Sequence, residues 1–496
     1  MDLASPTLPS SLVAPGGTGS PPSHVARTGF WVICAVLAAV GFFTSNGLVT
    51  AAAFAVLPFL GFLLWREGEP PVLLFACVFQ WMQATAAIFY TNHFGLTLSE
   101  AFGSNELGIA TWLSILAVLV LAVGIQLSFI GAGPPRAVEL ESAASLIDIN
   151  KVAVLYGCSF VVSGLLSTLA WHFSSITQIL LAIAAIKWAV VFLLCYTVLH
   201  QRRGYAILFA CLGLEFVSGL VGIFANFKSV FFVLVVAALS SPLALKGRRL
   251  AAIITCFVIL FLLGVVWSAV KMDYRSFLAD ESLESENEQP IERKFGKLAD
   301  LVESVTWDNF TDGIDALVLR VSYVNFFALA IENVPARVPY ENGELWKGSV
   351  MHVLTPRILF PDKPALDDSE RTRLYTGVQV AGSEANTSIG IGYVGESYID
   401  FGPTWMFLPI LILGLLYGLI DRFFITRVRH KLLGASLAVS VLVFNAYEIE
   451  ASNVKLLGGV VAAALVSVVI YKVFGETVAR YLRRTPASYI QRVRLR

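Results

Sequence analysis

Charge is scarce in this chain. Asp, Glu, Lys and Arg together make up 14% of its 496 residues, where soluble domains carry about 25%. The 35 cations balance the 35 anions, so the formal net charge is zero. With no net field to attract a polyanion, a nucleic-acid binder is excluded. Cysteine is sparse as well. Cys34, Cys77, Cys158, Cys195, Cys211 and Cys256 all lie inside apolar runs, with no C-x-x-C pair among them. That pattern excludes a disulfide framework and a cysteine metal site. Apolar surface is what the chain has in excess: 57% of residues are hydrophobic, 35 of them Phe and 10 Trp, and the mean hydropathy is +0.74. Ordinary soluble enzymes and disordered chains do not have this composition. The class it predicts is an all-α polytopic membrane protein.

A bilayer core of about 30 Å takes about 20 apolar residues per helix. Twelve runs qualify, near 29–45, 47–65, 72–90, 108–130, 152–170, 177–199, 205–224, 229–245, 250–270, 404–420, 432–449 and 455–474. The expected organisation is a disordered tail over 1–28, nine transmembrane helices over 29–270, one large loop domain over 271–403, three more helices over 404–474, and a basic tail over 475–496. The first run does not read as a signal peptide. It follows a long polar tail, has no A-x-A site, and passes almost directly into the second run at Asn46-Gly47. Counted from a cytoplasmic N-terminus, the even connections and the two tails hold 20 Lys and Arg, while the short odd turns hold 2, Lys228 and Lys455. The positive-inside rule then places both termini in the cytoplasm and the 271–403 loop outside. The basic tail is expected on the anionic inner leaflet.

Residues 271–290 are acidic and read as a solvated tether. After Pro290, Ile291, Phe295, Leu298, Val302 and Val305 recur at spacings of 4, 3, 4 and 3, which is one apolar face of a helix lying on the membrane or the bundle top. The cluster Asp308 to Asp312 reads as a helix start, with Asp312 as cap and Asp315 in the first turn, so the sequence predicts a helix over 313–332. The apolar stretch Ile314 to Ile331 is not counted as a span, because Arg320 would sit in mid-membrane. Arg320 needs either a loop acid or an anion such as phosphate, which a guanidinium grips bidentately.

The densest chemistry follows. His352, Arg357 and Lys363 lie among Pro356, Pro361 and Pro364, whose fixed backbone pre-orders the segment. His352 reads as a hydrogen-bonded loop histidine or as a base. Arg371 and Arg373 come next. Glu396 and Asp400 are four apart, so a helix there puts both on one side; unpaired near the membrane, one of them is protonated. Within the spans, Lys187 and Glu215 fall at similar depth. They read as a buried pair or as a polar wall of a substrate cavity.

The pattern Leu354-x-Pro356-Arg357-x-Leu359-x-Pro361-x-Lys363-Pro364, followed by Thr387-Ser388 and by Gly395-Glu396-x-Tyr398-x-x-Phe401-Gly402, resembles the bacterial oligosaccharide repeat-unit polymerases, the Wzy-like O-antigen and exopolysaccharide polymerases. The match covers about 50 residues; the rest agrees in layout, a dozen spans with one large loop late in the chain. Arg-x10-Gly spacings, found in some members, occur from Arg337 to Gly348 and from Arg371 to Gly382, both in one loop rather than two. Similar polymerases often carry a basic residue where the seventh span turns into the eighth, the place of Lys228 here.

The resemblance implies a fold like the GT-C-type membrane glycosyltransferases and a location in the bacterial inner membrane. It implies a substrate, a glycan unit on undecaprenyl pyrophosphate, and as partners the lipid bilayer, a chain-length regulator and a flippase. No cofactor is implied. Such an enzyme needs cations for the departing pyrophosphate, a groove for the polyprenyl tail and a placed acceptor hydroxyl. The candidates for the pyrophosphate are Arg357 first, then Arg320, Lys228, Lys363 and Arg371; the candidate base is His352, with Glu396 as substitute. No D-x-D pair or histidine cluster suggests a metal, so metal-independent transfer is expected. The competing readings are an O-antigen ligase, which shares layout and donor, a flippase or transporter for lipid-linked oligosaccharide, and a membrane protease using Cys158 or Cys195.

Overall fold

A computed structural model describes residues 24–484 apart from 103, 134–136, 174, 222–226, 241–247, 281–290, 358, 361–362, 364–366 and 383–386. Residues 281–290, most of the first tail and the end of the basic tail therefore lie outside the described residues, whereas 271–280, expected to begin the solvated tether, instead continue the preceding helix as far as Asp280. Among the described residues the chain is all helical. The first group comprises α1 His24–Gly41, α2 Gly47–Leu64, α3 Val72–His93, α4 Leu98–Phe102, α5 Leu107–Ser128, α6 Ala137–Ser145, α7 Ile149–His172, α8 Thr177–Ala184, α9 Lys187–Gln201, α10 Tyr205–Val221, α11 Lys228–Leu239 and α12 Arg248–Asp280. The 271–403 region then supplies α13 Ile291–Glu303, α14 Trp307–Val321, α15 Val324–Asn333, α16 Glu344–Leu354, α17 Asp368–Thr376 and α18 Tyr393–Trp405. The chain ends on α19 Phe407–Arg427, α20 Lys431–Leu442 and α21 Asn453–Leu482.

Among the described residues, 8 helices are long and apolar enough to cross a membrane, with α8 and α9 together making one of them. This is a multi-pass membrane protein. Four other expected runs form apolar helices of only 10–17 residues: the Thr28–Gly41 part of α1, α10, α11 and α20. α20 is short because the chain leaves the helix beyond Leu442 to build a polar turn, anchored where Asn445 Nδ2 donates to the Val441 carbonyl at 2.6 Å. The α8–α9 span breaks near Ala185, and Ser440 Oγ donates to that residue's carbonyl at 2.8 Å.

The bundle closes on α5 and α19, the most extensively packed helix pair. Three glycines set their spacing. A Cβ at Gly124 would lie 2.3 Å from the Leu411 carbonyl oxygen, one at Gly414 2.2 Å from that of Leu121, and one at Gly418 2.7 Å from that of Ile125. Lipid offers no hydrophobic drive between helices, so close backbone approach through small residues takes its place. Lys187 and Glu215 meet at 2.8 Å, and Tyr156 donates to the other carboxylate oxygen at 3.1 Å. The two charges are thus a buried pair.

Between α12 and α19 the sequence reading needs two corrections. The helix expected over 313–332 starts earlier, capped by Thr306 rather than Asp312. Thr306 and Asn309 form a reciprocal capping box, with Asn309 N donating to Thr306 Oγ1 and Thr306 N donating to Asn309 Oδ1. It is also two helices. α14 and α15 meet at a bend of 53° around Ser322-Tyr323, and only taken together are they long and apolar enough to count as a broken span. α14 lies along α12, where Gly313 admits the Val265 carbonyl. At the other end of the chain, α21 runs to Leu482 instead of stopping near 474, because Glu476 meets Arg429 at 2.8 Å and Arg484 N donates to the Leu146 carbonyl at 3.0 Å.

Candidate functional site

The motif segments that are scattered in sequence converge at one end of the bundle. α18 is set there by Gly392, whose φ of +92° and position against the Ile449 carbonyl (a Cβ would stand 2.4 Å from that oxygen) suit glycine alone. α18 is helical as the spacing of Glu396 and Asp400 requires, and both are buried, at 3% and 1% exposure. Each caps another helix. Asp400 accepts from the first backbone N–H groups of α16, Leu345 N at 3.0 Å and Trp346 N at 2.8 Å. Glu396 Oε2 accepts from Asn453 N, at the start of α21, at 2.8 Å. A carboxylate at a helix N-terminus meets unsatisfied N–H groups and the positive end of the dipole.

The other oxygen of Glu396 faces Arg371, 3.6 Å away. Arg371 belongs to α17, whose first residue, Asp368, is also buried. Asp368 Oδ2 meets Lys455 at 2.7 Å and accepts from Ser452 Oγ at 3.2 Å. Lys455 donates further to Ser388 Oγ at 2.9 Å, which brings the Thr387-Ser388 segment to the same place. Burial pushes the Glu396 carboxyl up to about 7, against the opposing pull of the Asn453 N–H and of Arg371.

His352, Arg357 and Lys363 form an adjoining basic group. Lys363 donates to the carbonyls of His352 and Thr355. Burial, then the charges of Lys363, Arg357 and Arg371, hold the His352 ring down to about 4. Burial and Arg357 also lower Lys363. Arg371 thus acts on both sides, on the basic group and on Glu396.

Lys228 and Arg320 stand apart from that group, around the turn between α20 and α21. Lys228 lies over the Tyr447 ring at 5.0 Å and 3.9 Å from Glu448. Arg320, exposed at the end of α14, makes no ion pair among the described residues; the acid whose proton its charge helps to release is Glu450. Burial and Glu448 push Glu450 up to about 7, opposed by Lys228, Arg320 and Lys455. Two glutamines of α3 hold this turn. Gln80 donates to the Ala446 carbonyl at 2.7 Å, Gln83 accepts from Ile449 N at 3.1 Å, and Gln83 Nε2 lies 3.4 Å from Glu450.

Asp368, Lys455, Asn453, Glu448 and Glu450 were not singled out from the sequence. They sit in or next to apolar runs or in a polar loop with no motif of its own. The signal available was the pair of cation-bearing outer turns, Lys228 and Lys455, which both end here. Among the described residues no three His, Cys, Asp or Glu side chains converge as a metal-ligand set.

Fold and site together define a polytopic helical membrane protein with a buried ionic cluster where loop-region helices cap its last long helix. Residues 69–453 match a family described as a domain of unknown function (DUF8712), and the chain belongs to that family. No curated protein matches the chain, and no solved structure does.

Proposed function

We propose that this protein is a membrane glycosyltransferase that polymerises lipid-linked oligosaccharide repeat units at the outer face of the bacterial inner membrane. In this reading about twelve helices cross, in a GT-C-like arrangement, both termini are cytoplasmic, and the end bearing Glu396 faces outward. The observation that carries it is the meeting of Arg371, Glu396, Ser388 and Lys455, with His352, Arg357 and Lys363 beside them. It joins the three segments on which the polymerase resemblance rests.

The donor is a glycan on undecaprenyl pyrophosphate and the acceptor a hydroxyl of the next lipid-linked unit. The acceptor oxygen bonds to the anomeric carbon as the bond from that carbon to phosphate breaks. The pyrophosphate leaves with the electron pair, and the hydroxyl proton goes to a base. Arg357, Lys363 and Arg371 supply positive charge where the leaving group gains its negative charge. For the base, a carboxyl near 7 is better matched to neutral pH than a ring held near 4, which favours Glu396 over His352. Lys228 and Arg320 lie around the Glu448–Glu450 turn and serve a more distant part of the substrate.

Deletion of the gene followed by glycan analysis tests this. Single repeat units on lipid or on the final acceptor are expected. An unchanged polymer ladder rejects the reading. Polymer retained on the lipid carrier would instead indicate a ligase, and units trapped in the inner leaflet a flippase.

A further inference from the structure

Three buried polar atoms around Glu396 have no partner, Asp368 Oδ1 and both Oδ1 and Nδ2 of Asn453, and a fourth, Arg371 Nη1, has no hydrogen bond, its nearest acid oxygen being Glu396 Oε1 at 3.6 Å. Asn453 is 0% and Asp368 2% exposed. They belong to one cluster. The Asn453 backbone N–H and the Arg371 guanidinium meet the two oxygens of the same carboxylate, Glu396. Ser452, next to Asn453, donates to the other oxygen of Asp368. Native proteins rarely leave such groups unpaired, and four together point to a bound species that pairs them.

The chemistry of the four atoms selects that species. Two are donors, the guanidinium and the amide NH2; two are acceptors, the carboxylate and the amide oxygen. A diphosphate carries only acceptors when ionised. It would leave Asp368 Oδ1 and Asn453 Oδ1 unmet and would sit against the carboxylates of Asp368 and Glu396. A group that both donates and accepts satisfies all four, and a sugar ring presents several adjacent hydroxyls of that kind. We propose that the buried polar cluster of Asp368, Arg371 and Asn453 is a carbohydrate subsite that holds hydroxyls of the acceptor sugar, while the diphosphate belongs to the neighbouring basic group of Arg357 and Lys363. This rests on the polymerase reading and divides its site in two, with Arg371 facing both halves. The way in passes Lys455, whose side chain is 45% exposed above Asp368.

The experiment uses the full-length protein in detergent micelles and follows its thermal unfolding. The probes are inorganic pyrophosphate and a panel of methyl glycosides of glucose, galactose, mannose and N-acetylglucosamine. At least one glycoside is expected to raise the unfolding temperature of the unmodified protein, and Asn453→Leu is expected to abolish that rise. Pyrophosphate is expected to stabilise Asn453→Leu as it does the unmodified protein, and to lose its effect in Arg357→Ala. Should Asn453→Leu fail to fold, Asp368→Asn, which keeps the shape and removes the charge, decides the same point. If no glycoside stabilises the unmodified protein, water alone pairs these groups and the proposal is wrong. It is equally overturned if the glycoside effect survives in the folded variants. Polymer lost on deletion with no glycoside binding sinks the subsite alone. A polymer ladder intact on deletion, with Asn453-dependent glycoside binding, sinks the polymerase reading and leaves the subsite.

Discussion

Lys455 places its ammonium 2.7 Å from Asp368 and so ties the first turn of α21 to the first turn of α17. Through it the last long helix of the bundle and the loop-region helices share one ionic cluster. Glu396 reinforces the junction by capping α21 and facing Arg371. Cutting either connection therefore changes a site as well as a packing contact.

Arg371→Ala leaves Glu396 buried without its cation. An electrostatic donor at the site of charge development is worth about 10²–10³-fold in rate, so transfer activity is expected to fall by at least the lower figure. The Glu396 proton is then held more tightly, and its titration moves above about 7. Repeat-unit polymerisation in membranes and the pH dependence of unfolding measure the two effects. Unchanged activity would remove Arg371 from the site.

Stability should depend on pH through Glu396 and Glu450. Both carboxyls are raised to about 7 from an ordinary 4.5. The folded state therefore keeps protons that the unfolded chain releases. The stability these groups contribute is complete below 4.5 and is lost as the pH rises through about 7, at up to about 1.4 kcal/mol per group per pH unit. Glu396→Gln and Glu450→Gln are each expected to flatten the fall in unfolding temperature between pH 5 and 8; an unaltered slope in both would show the carboxyls ionised when folded.

His352 is held near 4, so it is neutral throughout that range. Replacing it with Gln is expected to leave the shape of the activity profile between pH 5 and 8 unchanged. A limb near 6.5 that vanishes in His352→Gln would restore it as the titrating base.

Lys187→Met strands Glu215 in the bundle, with the Tyr156 hydroxyl as its remaining donor among the described residues. Removing one partner of a buried pair costs about 3–5 kcal/mol. Folded yield in detergent should drop accordingly. The exchange Lys187→Glu with Glu215→Lys should recover most of it, and failure to recover would mean that Tyr156 and the helix environment fix the order of the charges.

Gly414→Ala tests the central helix contact. Its Cβ would stand 2.2 Å from the Leu121 carbonyl oxygen, so α5 and α19 must separate. Overpacking of this kind costs about 1–3 kcal/mol or more. Gly108, at the start of α5 with open space around it, should accept alanine without loss; equal effects at both positions would contradict the packing.

Composition and the length of apolar runs determined that this chain is helical and lives in a membrane, because a bilayer demands long hydrocarbon-compatible helices whatever their neighbours do. Spacing determined that α13 is amphipathic and that Glu396 and Asp400 share a face, since one helical turn fixes both outcomes locally. Similar depth also foretold the meeting of Lys187 with Glu215. Sequence did not determine where helices break. The 53° bend at Ser322-Tyr323 and the early end of α20 arise from contacts with α12 and with the turn that α3 holds. Nor did it reveal that Asp368, Asn453 and Lys455 complete the site. Ion pairs and caps between residues more than fifty positions apart depend on which helix ends the fold brings together, and only the tertiary arrangement decides that.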